Sequence, residues 1–94
     1  MNINVPSDDY FEENRFKTIS EFKWAMIDNS EVEFEWKDKV YSITHPDGII
    51  SICEEDKYSE AKDYKTADEA LEYMIDGQKL REIITQVKVW NRTI

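Results

Sequence analysis

Residues 31–36, Glu-Val-Glu-Phe-Glu-Trp, alternate charged and apolar side chains without a break. A period of two marks a strand with one face in a core and the other in water. A two-residue turn at Lys37-Asp38 then sets Trp36 opposite Lys39, Phe34 opposite Tyr41 and Val32 opposite Ile43, so the apolar sets share a side. His45-Pro46-Asp47-Gly48 follows, with proline and glycine at the second and fourth positions of a type I turn. Pairing Thr44 with Ile49 across it sets Ile43 against Ile50 and Tyr41 against Ile52, which extends the same face. The expectation is a three-stranded antiparallel meander over 31–54.

Ahead of it, Thr18-Ile-Ser-Glu21 is a capping box, and Ile19, Phe22 and Met26 recur at helical spacing. The spacing predicts a helix over 19–28, with Trp24 about 140° around the wheel from Ile19 and off the apolar stripe. Beyond the meander, a polar loop leads to a short strand near 62–65 carrying Tyr64. Thr66-Ala-Asp-Glu69 is a second capping box, and Ala67, Ala70, Leu71 and Met74 predict a helix to Ile75. Asp76-Gly77 reads as a break, with Gly77 closing that helix and Asp76 capping a further one on Leu80, Ile83, Ile84 and Val87. Val87–Arg92 alternates again and reads as an edge strand.

The fold class is therefore α+β in a single domain over 1–94: an N-terminal helix, the meander, two helices and a C-terminal edge strand. Residues 1–14 hold four acids and no base, and read as a loosely held acidic arm anchored by Tyr10 and Phe11.

Charge narrows the function classes. The chain carries 21 acidic and 12 basic residues, a net charge of -9. That speaks against direct binding of nucleic acid by phosphate neutralisation and against docking on anionic lipid. Disorder is disfavoured by 40% hydrophobic and 13% aromatic residues, which supply apolar area to offset ordering entropy. The lone Cys53 excludes a disulfide framework, no apolar run suits a membrane span, and the start of the chain has no signal pattern. A cytoplasmic address is expected.

Catalytic patterns are missing. The one histidine, His45, precedes a proline in a turn, and Cys53 sits across the sheet from the expected core face. Glycines at 48 and 77 alone permit no GxSxG, P-loop or GxGxxG. His45, Asp47 and Glu54-Glu55-Asp56 match no metal-ligand spacing. No enzyme, cofactor or metal is expected.

The surface is more informative. Residues 1–76 sum to -12 and residues 77–94 to +3. With Val32, Phe34 and Trp36 inward, Glu31, Glu33 and Glu35 line the opposite face roughly 6.5–7 Å apart, close to the phosphate spacing along one nucleic-acid strand. Asp28, Glu54, Glu55 and Asp56 lie in neighbouring segments. Trp24, Trp90 and Arg92 are aromatic and basic contact candidates, with Trp90 expected outward beside Lys88 and Arg92, a composition frequent at interface hot spots. The alternative for Trp24 is packing under the N-terminal arm with Tyr10, Phe11 and Phe16.

Val32–Ile43 and Ala67–Ile83, with Ile75-Asp-Gly-Gln-Lys-Leu80 as their most specific part, resemble a group of small acidic bacterial and phage-borne proteins with no assigned activity. The resemblance implies no catalytic residue. It implies a setting in which small acidic proteins act as inhibitors, including anti-CRISPR proteins that mimic nucleic acid. The expected function is a module that binds a basic protein partner by placing its acidic face in a nucleic-acid channel. The alternative is an immunity, antitoxin-like or regulatory protein that binds through the basic, Trp90-containing end.

Overall fold

The computed structural model describes residues 8–93 and gives side chains from Phe11 onward. Two helices come first, α1 (Asp8–Asn14) and α2 (Ile19–Ile27). Four strands follow: β1 (Val32–Trp36), β2 (Lys39–Thr44), β3 (Ile50–Glu54) and β4 (Lys62–Tyr64). Next come α3 (Ala67–Ala70), β5 (Met74–Ile75), β6 (Gln78–Lys79), α4 (Leu80–Ile83) and β7 (Lys88–Arg92). The main sheet is antiparallel in the order β4-β3-β2-β1-β7, and β5 and β6 form a separate ribbon. The class is α+β. The expected meander forms its centre, lengthened by β4 on one side and β7 on the other.

The β1–β2 register is the one expected, with Val32 opposite Ile43, Phe34 opposite Tyr41 and Trp36 opposite Lys39. Lys37 and Asp38 hold φ values of 50 and 65, the paired left-handed residues of a type I′ turn. Asp38 sits where this turn prefers glycine, and no Cβ penalty would remain after Asp38→Gly. That substitution is expected to raise stability by about 0.5 kcal/mol, a calorimetric Tm gain of roughly 2–4 °C.

The β2–β3 register differs from expectation by two residues: Ile43 faces Ile52, Thr44 faces Ser51 and Tyr41 faces Glu54. Asp47 takes φ 53 and ψ 30 at the third turn position, a left-handed backbone that a type I turn does not use there. The turn therefore sits inside a longer loop. A slip of two preserves parity, so Ile50 and Ile52 still face the core.

The segment after Ala70 overturns the expectation of two full helices. α3 is a single turn, and Ile75-Asp76-Gly77-Gln78 is a hairpin with φ 50 at Asp76 and φ 84 at Gly77. Asp-Gly is a favoured type I′ pair, and here it outweighs the helical spacing of short apolar runs. Met74, expected in the buried stripe, is 55% exposed, while Ile75 is buried. Asp76 caps no helix; Glu82 Oε2 instead accepts the Lys79 N–H at 2.8 Å at the start of α4.

One core joins the sheet's inner face to the helices, with Phe16, Phe22, Phe34, Ile43, Leu80 and Val89 fully enclosed. Thr18 caps α2 by accepting the Glu21 N–H at 3.1 Å. Glu21 does not complete the expected box; its carboxylate accepts the Lys17 N–H and an Arg92 N–H.

Residues 8–14 of the expected arm form α1. α1 lies along β7, and the Phe11 ring meets Trp90 edge-on with centroids 4.9 Å apart. Arg15, just past α1, donates to the Thr85 carbonyl at 2.9 Å. Burial of one aromatic edge and a long-range hydrogen bond hold the segment down. Residues 1–7 of the expected arm, and the Tyr10 side chain, lie outside what is described.

Candidate functional site

The face of the main sheet turned away from the core carries Glu31, Glu33 and Glu35, as alternation dictates once Val32 and Phe34 are buried. Ser42 stands beside Glu33, and Cys53 beside Ser42, with the Cys53 sulfur 3.6 Å from the Ser42 hydroxyl. Glu31 is fixed at its backbone: its N–H donates to Thr93 Oγ1 at 2.8 Å, and its carbonyl accepts the Thr93 N–H at 3.0 Å. A shallow hollow of about 180 Å³ runs past Glu31, Glu33, Ser42, Thr44, Asn91 and Thr93.

Among the described residues, seven salt bridges form, and none includes Glu31, Glu33 or Glu35. Glu35 accepts the Trp90 indole N–H at 3.0 Å, which leaves its charge unpaired. Neighbouring carboxylates roughly 7 Å apart repel by about 0.6 kcal/mol in water before screening. Lys88 stands opposite Glu35 in the β1–β7 register, so the like charge left without a basic neighbour in the ladder is that of Glu31 and Glu33.

The other acids do not join it. Glu54 pairs with Tyr41 in register and therefore lies on the core side, 3.6 Å from Lys57. Glu55 and Asp56 are exposed in the turn after β3, with Asp56 at φ 70. Asp28 ends α2, on the helical layer. Of the six acids expected to act together, the structure aligns three. The signal for Glu54 was present in the alternation, since the parity that turns Ile52 inward turns Glu54 inward as well.

On that inner side Tyr41, Tyr64 and Tyr73 form an edge-to-face cluster. Burial, with the neighbouring Tyr41 adding to it, pushes the Tyr73 phenol from 10 to about 12. The unfolded chain releases this proton near pH 10 while the folded chain keeps it to about 12, so stability falls as pH rises through that window. Tyr73→Phe is expected to flatten the fall in denaturant melts across it, and tyrosinate absorbance follows the titration directly.

The aromatic and basic candidates separate. Trp24 is 65% exposed on α2, on the opposite layer from the glutamate column. Trp90 is half-buried and held by Phe11 and Glu35. Arg92 does not share its side as expected. The β1–β7 ladder shifts between Glu33 and Phe34, so that Phe34 faces Val89 while Glu33 faces Asn91, and Trp90 is the extra residue of a bulge. Arg92 consequently turns inward, 4.3 Å from the Phe16 ring centroid and 3.1 Å from Glu21.

The remaining C-terminal bases are also engaged. Lys79 and Arg81 both hold Glu72, and their hydrogen bonds draw its carboxyl below the ordinary range. Lys88 lies over the Phe11 ring at 5.4 Å. The positive end that the sequence presents is spent on contacts within the chain.

His45 has a structural role. Its Nε2 donates to the Ser30 carbonyl at 2.8 Å and ties the β2–β3 loop to the start of β1. Among the described residues, no three His, Cys, Asp or Glu side chains gather at one point, and no helix is long and apolar enough to cross a membrane. Comparison with protein families, curated proteins and solved structures finds no match.

Proposed function

We propose that the chain is a protein-binding module whose outer sheet face enters a basic nucleic-acid channel of a partner and competes with the strand held there. The observation that carries this reading is the column Glu31-Glu33-Glu35, three carboxylates at strand spacing with no ion pair of their own. Such a column costs the fold a little electrostatic energy and gains it back against an external positive surface. Antiparallel pairing with β2 and β7 holds Glu33 and Glu35 on a rigid support, and the backbone bonds to Thr93 hold Glu31 beside them, which limits the entropy lost on binding.

The mechanism is competition. Carboxylates occupy positions of successive phosphates, and steering by the net charge of -9 speeds encounter with a basic groove. The hydroxyls of Ser42 and Thr44 flank the column and offer hydrogen bonds where a sugar edge would. A mobile-element inhibitor of the anti-CRISPR type, acting in a host cytoplasm, fits this chemistry and the resemblance noted from the sequence. The reading through the basic end has less support, because Lys79, Arg81 and Arg92 are already paired inside the chain.

Affinity capture from host lysate tests the reading. The native chain is expected to retain a basic nucleic-acid-binding protein at low salt and release it at high salt. A variant with Glu31, Glu33 and Glu35 uncharged should retain none. Capture of the same protein, undiminished, by that variant overturns the assignment of this face.

A further inference from the structure

α2 buries Phe22, Ala25 and Met26 and leaves Trp24 and Ile27 each 65% exposed one turn apart. Two large apolar side chains adjoining on a helix that is otherwise docked form a seam without an occupant. We propose that this seam is a two-fold contact with a second copy of the chain, in which Trp24 of each copy packs on Ile27 of the other.

The helix itself supplies the complementarity. At 100° per residue, Trp24 and Ile27 lie about 30° to either side of one line along α2, and Lys23 and Asp28 lie about 70° to either side of the same line. A two-fold axis on that line runs the two helices antiparallel. It sets Trp24 against Ile27 of the second copy and, in the same operation, Lys23 against Asp28 of the second copy, each contact made twice. The apolar pair forms the centre and the opposite charges flank it, as in other paired helices. Lys23 already reaches Asp68 at 2.6 Å, but an ammonium has three donors and can serve a second carboxylate.

Charge favours this arc over the rest of the surface. The chain as a whole carries -9, so most approaches between copies bring like charge together. Here Lys23 balances Asp28. The groove alongside continues the strip toward α3, lined by Met26, Ile27 and Ala67, with Lys23, Lys65 and Asp68 at its rim, so it adds no net negative charge. The carboxylate column projects from the other layer and stays free, so a dimer presents two columns facing away from each other.

Two apolar side chains per copy fall short of the roughly 800 Å² per partner that standard stable interfaces bury. The association is therefore reversible and set by concentration. Sedimentation equilibrium on the full chain, diluted from millimolar concentration, is expected to show a monomer–dimer equilibrium. Ile27→Glu or Trp24→Ser should weaken it at least about tenfold. Lys23→Asp alone should weaken it similarly, and Lys23→Asp with Asp28→Lys should restore it. A thermal melt of each variant separates lost association from lost folding. A monomer at every concentration overturns the proposal, as does a dimer indifferent to both Ile27→Glu and Trp24→Ser. A double exchange no better than Lys23→Asp overturns the two-fold geometry.

Discussion

Phe34→Ala is expected to lower stability by about 3–5 kcal/mol, most of what a small domain has. Phe34 is fully buried in the central part of β1, and its ring stacks on Tyr41 with centroids 5.3 Å apart. It faces Tyr41 on β2 and Val89 on β7, so its removal opens a cavity at the junction of three strands. Those neighbours are backbone-paired and cannot collapse into the space, which places the cost near the upper end of the range. Phe34→Leu, which keeps most of the volume, should cost about 1 kcal/mol. Urea melts of the two variants check both values. An alanine variant within about 1 kcal/mol of the native chain would mean that the β1 core face is not packed as described.

The second large effect has opposite signs in two measurements. Replacing Glu31 and Glu33 with threonine and Glu35 with glutamine is expected to abolish partner binding, at least about a hundredfold, and to raise stability by roughly 1 kcal/mol. Threonine suits a strand better than glutamate, and the mutual repulsion of the column disappears with its charge. Glutamine at position 35 keeps an acceptor for the Trp90 indole N–H, so the β1–β7 contact survives. Circular dichroism melts give the stability, and retention of the captured protein at low salt gives the binding. Falling binding with a rising Tm separates a functional loss from an unfolding artefact. If stability drops instead, the glutamates are structural and the proposed face loses its support.

The sheet was legible where two independent signals agreed. Alternation and a two-residue turn together specify one β1–β2 register, and that register forms. At His45–Gly48 the turn signal was read in the right place but with the wrong loop length, and parity alone protected the faces. Residues 67–83 misled because apolar spacings over a few residues suit either a helical turn or a ribbon, and Asp76-Gly77 decided the matter through its left-handed backbone. The helical wheel put Trp24 off the apolar stripe but did not decide whether the N-terminal arm covers it, and it stands 65% exposed. Trp90 and Arg92 could not be separated, because a bulge breaks the parity on which alternation depends and leaves no mark in the sequence. The acidic column was legible for the same reason as the register. The scatter of Glu54, Glu55 and Asp56 away from it came from counting nearby acids without following each to its face.

The strand order also sets a sequence of events in folding. β1 to β4 pair as sequential neighbours, so each joins across a short loop. β7 must instead return to β1, bringing Trp90 back to Glu35 across 55 residues of chain. Closing a loop of that length costs about 3.6 kcal/mol in chain entropy alone. Until it closes, β1 has an open edge on which another chain can pair. α1, which rests on β7, has nothing to settle against. α1 and β7 thus become ordered together and late, and a nascent chain in which β7 is not yet made exposes the strand that carries the glutamates. Their like charge then serves a purpose no partner is needed for, keeping that bare edge from recruiting its own kind.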